Sequence, residues 1–498
     1  MYFDIIGSFP LELLVHVVKY LDLEDIVRSH GVSKKWRMTF SCKAIISPFL
    51  CETLEFLDLD QDGITTDEAI DDAMKYFRWR LGLQYARPVR KIYLPWKELE
   101  SDDDDVKPDK PFYIQHHSRS LCFCIPHYYE KDDVPTNSEV EMLNLETGDR
   151  SIWTGRQLDI IDCFASSDRY LVMASRHPDC GGLFAAWNLQ TKQKINKRIR
   201  SIRSPFTNLF TIVEDKVIII NGQNDIIFSK SESGWPDDPC PVYVWDLSSN
   251  HVQEIGEFTY FIELCHLDVQ ENTLVVFEAV WETNPLEVHK TKWSTTTGQL
   301  LEEKVLHLPL PADGPLERSS TDRGRFRIYG SKSVAHSIWS NKDSKVWFYL
   351  EYNHSVDKLN VRSIHCCEPP GLHYYEVSGA RLTRDLFYSF SRKKADYVAV
   401  YDASTGKATW HSVRVSTGTS PRSIPEQSWE ESVPYWSEYA YYGFPNKYEV
   451  FGDREVFGFA GTHGVELWFF NPDYVPDPRD WKWLWGEIPM LDASQARS

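Results

Sequence analysis

Residues 242–250 read VYVWDLSSN. Valine and aromatic residues fill the first four positions and suit a short strand. Asp246 and the Ser-Ser-Asn that ends the segment favour a turn, because their side chains bond back to nearby backbone. Related segments lie on both sides: EMLNLETGD (141–149), AAWNLQTKQ (185–193), TKWSTTTGQ (291–299) and VAVYDASTG (398–406). Each alternates, often carries an aromatic residue, closes in Asp, Asn or Ser, and then turns. KVWFYLEYN (345–353) and VELWFFNPD (465–473) read as the same element without its turn, which makes about seven. With Leu145, Leu189 and Leu247 as markers, the steps are 44 and 58 residues. Recurrence at this spacing marks a repeat architecture.

Trp-Asp or Trp-Asn after alternating apolar residues resembles the third strand of a WD-repeat blade. No Gly-His opens the repeats and their spacing is uneven, so the match to that subfamily is partial. The expectation is an α+β multidomain chain with a mainly antiparallel β-propeller-like domain of about seven blades. The alternative is an irregular β-sandwich or two small β-domains. LEFLDL (54–59) fits one leucine-rich unit, but a solenoid needs at least three.

Working toward the N-terminus, the character changes. SDDDDVKPDK (101–110) is a like-charge run with proline and reads as a solvated linker. Before it, Ile70, Ala73, Met74 and Phe77 form a helical stripe. Residues 9–37 read FPLELLVHVVKYLDLEDIVRSHGVSKKWR. Pro10 suits a first helical position, Glu12 complements the helix dipole, and Leu13, Leu14, Val17, Val18 and Leu21 recur at helical spacing. Asp22 can cap a second helix carrying Ile26 and Val27, which His30-Gly31 ends. Ser33 can cap a third, with Trp36 and Phe40 one turn apart. So small a unit buries little surface alone, which leaves apolar surface for a partner.

That stretch resembles the F-box, the motif that docks substrate receptors onto the Skp adaptor of cullin-RING ubiquitin ligases. Pro10, Glu12, Leu13, Leu14, Val17, Leu21, Leu23, Ile26, Val32, Ser33 and Trp36 fall on the motif; Phe9 stands where leucine is usual. The resemblance implies adaptor contacts through Pro10, Leu13, Leu14, Val17, Leu21, Leu23, Ile26, Val32 and Trp36. It also implies a non-catalytic substrate-recognition subunit whose partners are the Skp adaptor, the cullin scaffold and a protein substrate, phosphorylated or not. An F-box-bearing scaffold without a ligase role, and a propeller enzyme with an appended interaction module, are the alternatives. The expected divisions are a three-helix F-box module at 1–52, a helical connector at 53–100, an acidic linker at 101–111, the propeller-like domain at 112–480 and a tail at 481–498.

Net charge is −19, so broad binding to nucleic acid or an anionic membrane is not expected. The 10 cysteines show no short-spaced framework and read as reduced thiols. With no signal peptide and no apolar run near the roughly 20 residues that span a bilayer, a cytoplasmic and/or nuclear protein is expected.

The remaining constellations are weaker. Asp58, Asp60, Asp62 and Gly63 match the start of a calcium loop, but Ile64 and Ala69 break its end, and Thr65-x-x-Glu68 reads instead as a capping box. His116, His117, Cys122, Cys124 and His127 match no structural zinc spacing. No nucleophile elbow, phosphate loop or dinucleotide fingerprint occurs, and neither a metal nor a cofactor is expected. KQKINKRIRSIR (192–203) reads as an exposed, charged edge strand. Arg318, Arg323, Arg325 and Arg327 sit in a loop-like stretch, and their guanidinium forks suit carboxylate or phosphate. They are the expected substrate contact.

Overall fold

The computed structural model describes residues 9–57, 59, 72–95, 113–117, 119–128, 135–154, 161–175, 182–199, 202, 209–220, 240–258, 261–280, 283, 285–309, 335–340, 346–366, 378–383, 385–390, 397–402, 404–412, 449–460 and 464–474. Five α-helices come first among them: α1 (Leu11–Val18), α2 (Leu23–Ser29), α3 (Lys34–Phe40), α4 (Lys43–Phe56) and α5 (Ala73–Gln84). Pro10 sits one residue before the helix; its ψ of 150° is extended, and its carbonyl accepts from the amides of Leu13 and Leu14 at 3.1 Å. Asp22 and Asp25 cap α2 reciprocally, the Asp25 amide donating to Asp22 Oδ1 at 2.8 Å. Ser33 Oγ accepts from the Trp36 amide at 3.1 Å and starts α3, and the Trp36 and Phe40 rings lie 5.8 Å apart.

Helix α4 is absent from the sequence reading, because Pro48 lies inside it. A mid-helix proline costs about 3 kcal/mol. Burying each of Ile45, Ile46, Leu50 and Leu54 returns about 1.5–3 kcal/mol, so the apolar face wins. Residues 54–56 of LEFLDL, a stretch too short for a leucine-rich solenoid, are the last residues of this helix.

Beyond the helices the body is almost wholly antiparallel sheet. Strand β1 (Arg90–Pro95), inside the expected helical connector, follows α5 directly. The first sheet contains β2 (Tyr113–His117), β3 (Ser120–Tyr128), β4 (Pro135–Asn144) and β5 (Arg150–Thr154). The second contains β6 (Ile161–Ser166), β7 (Tyr170–Ser175), β8 (Leu183–Asn188) and β9 (Lys194–Arg198). The third contains β10 (Leu209–Val213), β11 (Lys216–Ile220), β12 (Cys240–Asp246) and β13 (His251–Phe258). In the fourth stand β14 (Phe261–Asp268), β15 (Thr273–Val280), β16 (Leu286–Ser294) and β17 (Leu300–Leu308).

A seven-stranded sheet follows. Its first part is β18 (Ala335–Ser340), β19 (Val346–Asn353) and β20 (Lys358–Cys366). Its second part is β21 (Ser378–Arg381), β22 (Leu386–Phe390), β23 (Tyr397–Asp402) and β24 (Lys407–Ser412). A short parallel pairing of His365 with Lys407 and Cys366 with Ala408 joins the two parts. The final sheet takes β25 (Glu449–Gly452), β26 (Val456–Ala460) and β27 (Gly464–Phe469), and its fourth strand is β1, paired to β27 from Arg90↔Phe469 to Pro95↔Gly464.

The sequence repeat is one hairpin loop used again and again. Asn144 Oδ1 accepts from the amides of Glu146 and Thr147 at 2.8 and 3.0 Å. Asn188, Asp246 and Asp402 do the same for their following residues, and Ser294 substitutes a hydroxyl. Four residues after each stands a left-handed residue: Gly148, Lys192, Asn250, Gly298 and Gly406, with φ of 54–72°. At Gly298 an added Cβ would lie 2.5 Å from the Glu254 carbonyl oxygen, so the position needs glycine. KVWFYLEYN, expected to lack its turn, has it: Asn353 accepts from the Ser355 amide at 3.1 Å, and Asp357 is left-handed.

Buried residues join each sheet to the next. Trp153, Phe164 and Trp187 lie between the first and second, Phe184, Ile219 and Trp245 between the second and third, and Ile218, Val244 and Leu274 between the third and fourth. Phe277, Val288 and Tyr352 join the fourth to β19. Tyr388 and Val398 join β22 and β23 to Phe457 and Trp468 of the last sheet. Leu121 and Leu143 of the first sheet share a core with Val465 and Leu467 of the last, so the series returns on itself. Successive four-stranded sheets packed face to face around a ring are a β-propeller.

Candidate functional site

Helix α1 carries two stripes. Leu14 and Val18 are buried with Ile26, Phe40, Ile45 and Phe77 in one helical core, and Leu21 packs against it. Leu13 and Val17 stand one position ahead of Leu14 and Val18, about 100° round the helix, with Pro10 just before the helix and Tyr20 just after it. Leu13 is 52 % exposed and Tyr20 90 % exposed, while Val17 is half-buried. Val32, in the α2–α3 connection, is 60 % exposed.

The nine positions expected to contact an adaptor therefore divide. Leu14, Leu23 and Ile26 are core; Val17, Leu21 and Trp36 are half-buried; Pro10, Leu13 and Val32 face outward. Phe9, Leu11 and Tyr20 are exposed beside them. Tyr20 is not among the expected adaptor contacts, although it stands seven residues after Leu13.

Helix α5 fixes these helices to the sheets. Ala73 and Phe77 belong to the helical core, whereas Trp79 and Leu83 share a cluster with Leu386, Tyr388, Phe457 and Trp468. Trp79 Nε1 donates to the Arg454 carbonyl at 2.8 Å, Arg454 Nη1 donates to the Leu57 carbonyl at 2.9 Å, and the Tyr388 hydroxyl donates to the Leu83 carbonyl. Lys75 and Asp473 form an ion pair across the same junction.

The other sequence candidates fare differently. Arg318, Arg323, Arg325 and Arg327 lie outside the described residues, as do Asp58, Asp60, Asp62 and Gly63. His116, His117, Cys124 and His127 fall on β2 and β3, but their side chains are likewise outside. Cys122 is buried, its Sγ 3.6 Å from Ser166 Oγ, and burial pushes its thiol up to about 12, so it is an inert core thiol. Among the described residues no group of three or more His, Cys, Asp or Glu is placed to hold a metal. β9 is the outermost strand of its sheet. Lys192 and Lys194 lie 4.4 and 4.8 Å from the Trp153 and Trp187 ring centroids, so part of the basic stretch covers aromatic surface. No described helix is long and apolar enough to cross a membrane.

Solved structures with a similar course include the β-propeller domain of the Trilobed protease from Pyrococcus furiosus, at 10 % identity and a TM-score of 0.41, covering 76 % of this chain and 94 % of that one. The Dos1 propeller matches at 9 % identity and a TM-score of 0.40, covering 77 % and 96 %. The Myceliophteria thermophila Cps50 (Swd1) β-propeller domain matches at 7 % and 0.38, covering 73 % and 98 %. No curated protein matches the sequence. The F-box domain family matches residues 6–43, the stretch that holds α1 to α3. The chain thus carries an F-box domain at its N-terminal end, fixed through α5 to a β-propeller.

Proposed function

We propose that the chain is the substrate-recognition subunit of a Skp–cullin–F-box ubiquitin ligase. The observation that carries this is the outward stripe of α1. A helical unit whose own core is complete still presents Leu13 and Tyr20 to solvent, with Val32 exposed nearby in sequence. Exposed apolar clusters on an otherwise charged surface mark interaction sites. Pro10, Leu13, Val17 and Val32 touch the Skp adaptor in this reading. Leu14, Leu23 and Ile26 hold those contacts in place from beneath, and Leu21 and Trp36 lie between the two layers.

The propeller holds a protein substrate, and Arg318, Arg323, Arg325 and Arg327 are its proposed contact. The protein itself catalyses nothing; it raises the effective concentration of substrate lysines near a charged conjugating enzyme. We read the sheets as seven blades, with the seven-stranded sheet counted as two joined at β20 and β24 and the last blade completed by β1.

Co-purification with the Skp adaptor tests the reading. Wild-type protein should retain the adaptor, and Leu13→Asp with Val32→Asp should weaken binding at least tenfold while the β-sheet spectrum stays intact. Wild-type protein that captures no adaptor would end the ligase proposal.

A further inference from the structure

Every blade of a propeller has an outer edge, and most described edges here are short or blunted. β5 and β9 are five residues each, and β9 carries Lys194, Lys197 and Arg198. β13 faces a bulge at Val242/Tyr243. Charge and bulges keep edges from recruiting strands. β17 differs. It is nine residues long, and no strand pairs with its outer side among the described residues. Its register with β16 runs through seven successive pairs, from Leu286↔Leu308 to Lys292↔Glu302, and shifts only at the start of the strand, where Leu301 is the extra residue before Trp293↔Leu300; the shift in β12–β13 falls mid-strand. Leu301 and Val305 stand about half exposed on it, at 52 % and 49 %. Its central charges are balanced locally: Lys304 Nζ lies 2.5 Å from Glu302, which also meets buried Lys290 at 3.2 Å.

Beside β17 is a cavity of about 260 Å³. Phe277, Leu306, Leu308 and Leu359 give it apolar walls, and Lys304, His307 and Lys358 lie around them. The Lys290 charge is balanced by Asp357 at 2.5 Å as well as by Glu302. Lys358 is exposed and has no ion pair among the described residues. In a chain of net charge −19, an apolar slot with surplus positive charge beside a long open edge is an anomaly.

We propose that the β17 edge and this cavity form a docking site for an extended segment of a partner protein in which apolar and acidic residues alternate. Main-chain hydrogen bonds to the edge supply affinity, and alternate side chains supply selectivity, because successive residues of an added strand point to opposite faces. An apolar side chain enters the cavity, and an acidic neighbour meets Lys358, the lysine left without an ion pair among the described residues. The site is independent of adaptor docking and would exist even if the F-box bound nothing.

The test uses the full chain and a fluorescein-labelled nonapeptide alternating valine and glutamate. Anisotropy should show saturable binding, at least tenfold weaker for the same peptide with lysine in place of glutamate. Lys358→Glu should weaken the glutamate peptide at least threefold. In the wild-type chain the peptide should slow amide exchange at residues 301–308, a readout that needs no variant. Absent saturation, equal binding of the lysine peptide, or slowed exchange elsewhere would each overturn the site. So would amides at 301–308 that are fully protected before peptide is added, since that means the chain already covers its own edge.

Discussion

His266 shows what one residue can store. It is fully buried in β14, its ring stacked on His354 with centroids 4.6 Å apart and edge-on to Tyr352 at 5.6 Å, and neither ring nitrogen has a hydrogen-bond partner among the described residues. Burial, and then the neighbouring His354, pull its pKa down to about 4; Asp268 opposes this and Lys292 adds to it. The unfolded chain binds a proton at this residue below about pH 6.5, whereas the native chain keeps it neutral until about pH 4. Protons therefore favour unfolding throughout that window, and stability falls as pH drops through it, by up to about 1.4 kcal/mol per pH unit from this group. The urea midpoint should fall between pH 6.5 and 4.5, and His266→Leu should flatten the fall. His30 and His411 are lowered in the same direction by burial and add to the slope in the same sense. Identical slopes in wild type and His266→Leu would show that His266 contributes nothing. None of this is legible in the sequence, because a histidine between Cys265 and Leu267 gives no sign of what stacks on it.

Elements were more readable where their signals are local. Asn144, Asn188 and Asp246 announce their turns through side chains that bond the next few amides. Asn353 hides the same turn, since His-Ser-Val-Asp does not look like a loop. Asp22 and Ser33 mark helix starts by the same chemistry, whereas Pro48 masks α4. The two faces of α5 make an element-scale prediction. Phe77 points into the helical core and Trp79 into the sheets, two positions and about 200° apart on the helix. Trp79→Ala should cost about 3–5 kcal/mol at the junction alone, splitting one calorimetric transition into two while adaptor capture persists. Phe77→Ala should instead weaken adaptor capture. A single transition for Trp79→Ala at the wild-type temperature would mean that the helices are not held through this side chain.

At the scale of the whole molecule, β1 decides whether the ring is closed. A strand beginning at Arg90 whose partner ends at Phe469 leaves no local trace, which is why the sequence reading placed this stretch among helices. A protein beginning at residue 88 should elute as a β-rich monomer, and one beginning at residue 97 should associate, because the edge of β27 is then open. Equal elution of the two on a sizing column would show that β1 is dispensable. The same pairing imposes an order in time. The F-box leaves the ribosome before the sheets do, yet Trp79 waits for Arg454, 375 residues downstream, before its platform exists. During that interval the nascent chain carries helices able to form and a first strand unable to pair, and non-local pairing of this kind is slow. A message cut short before β27 would thus yield a protein that displays its F-box helices with no closed propeller behind them.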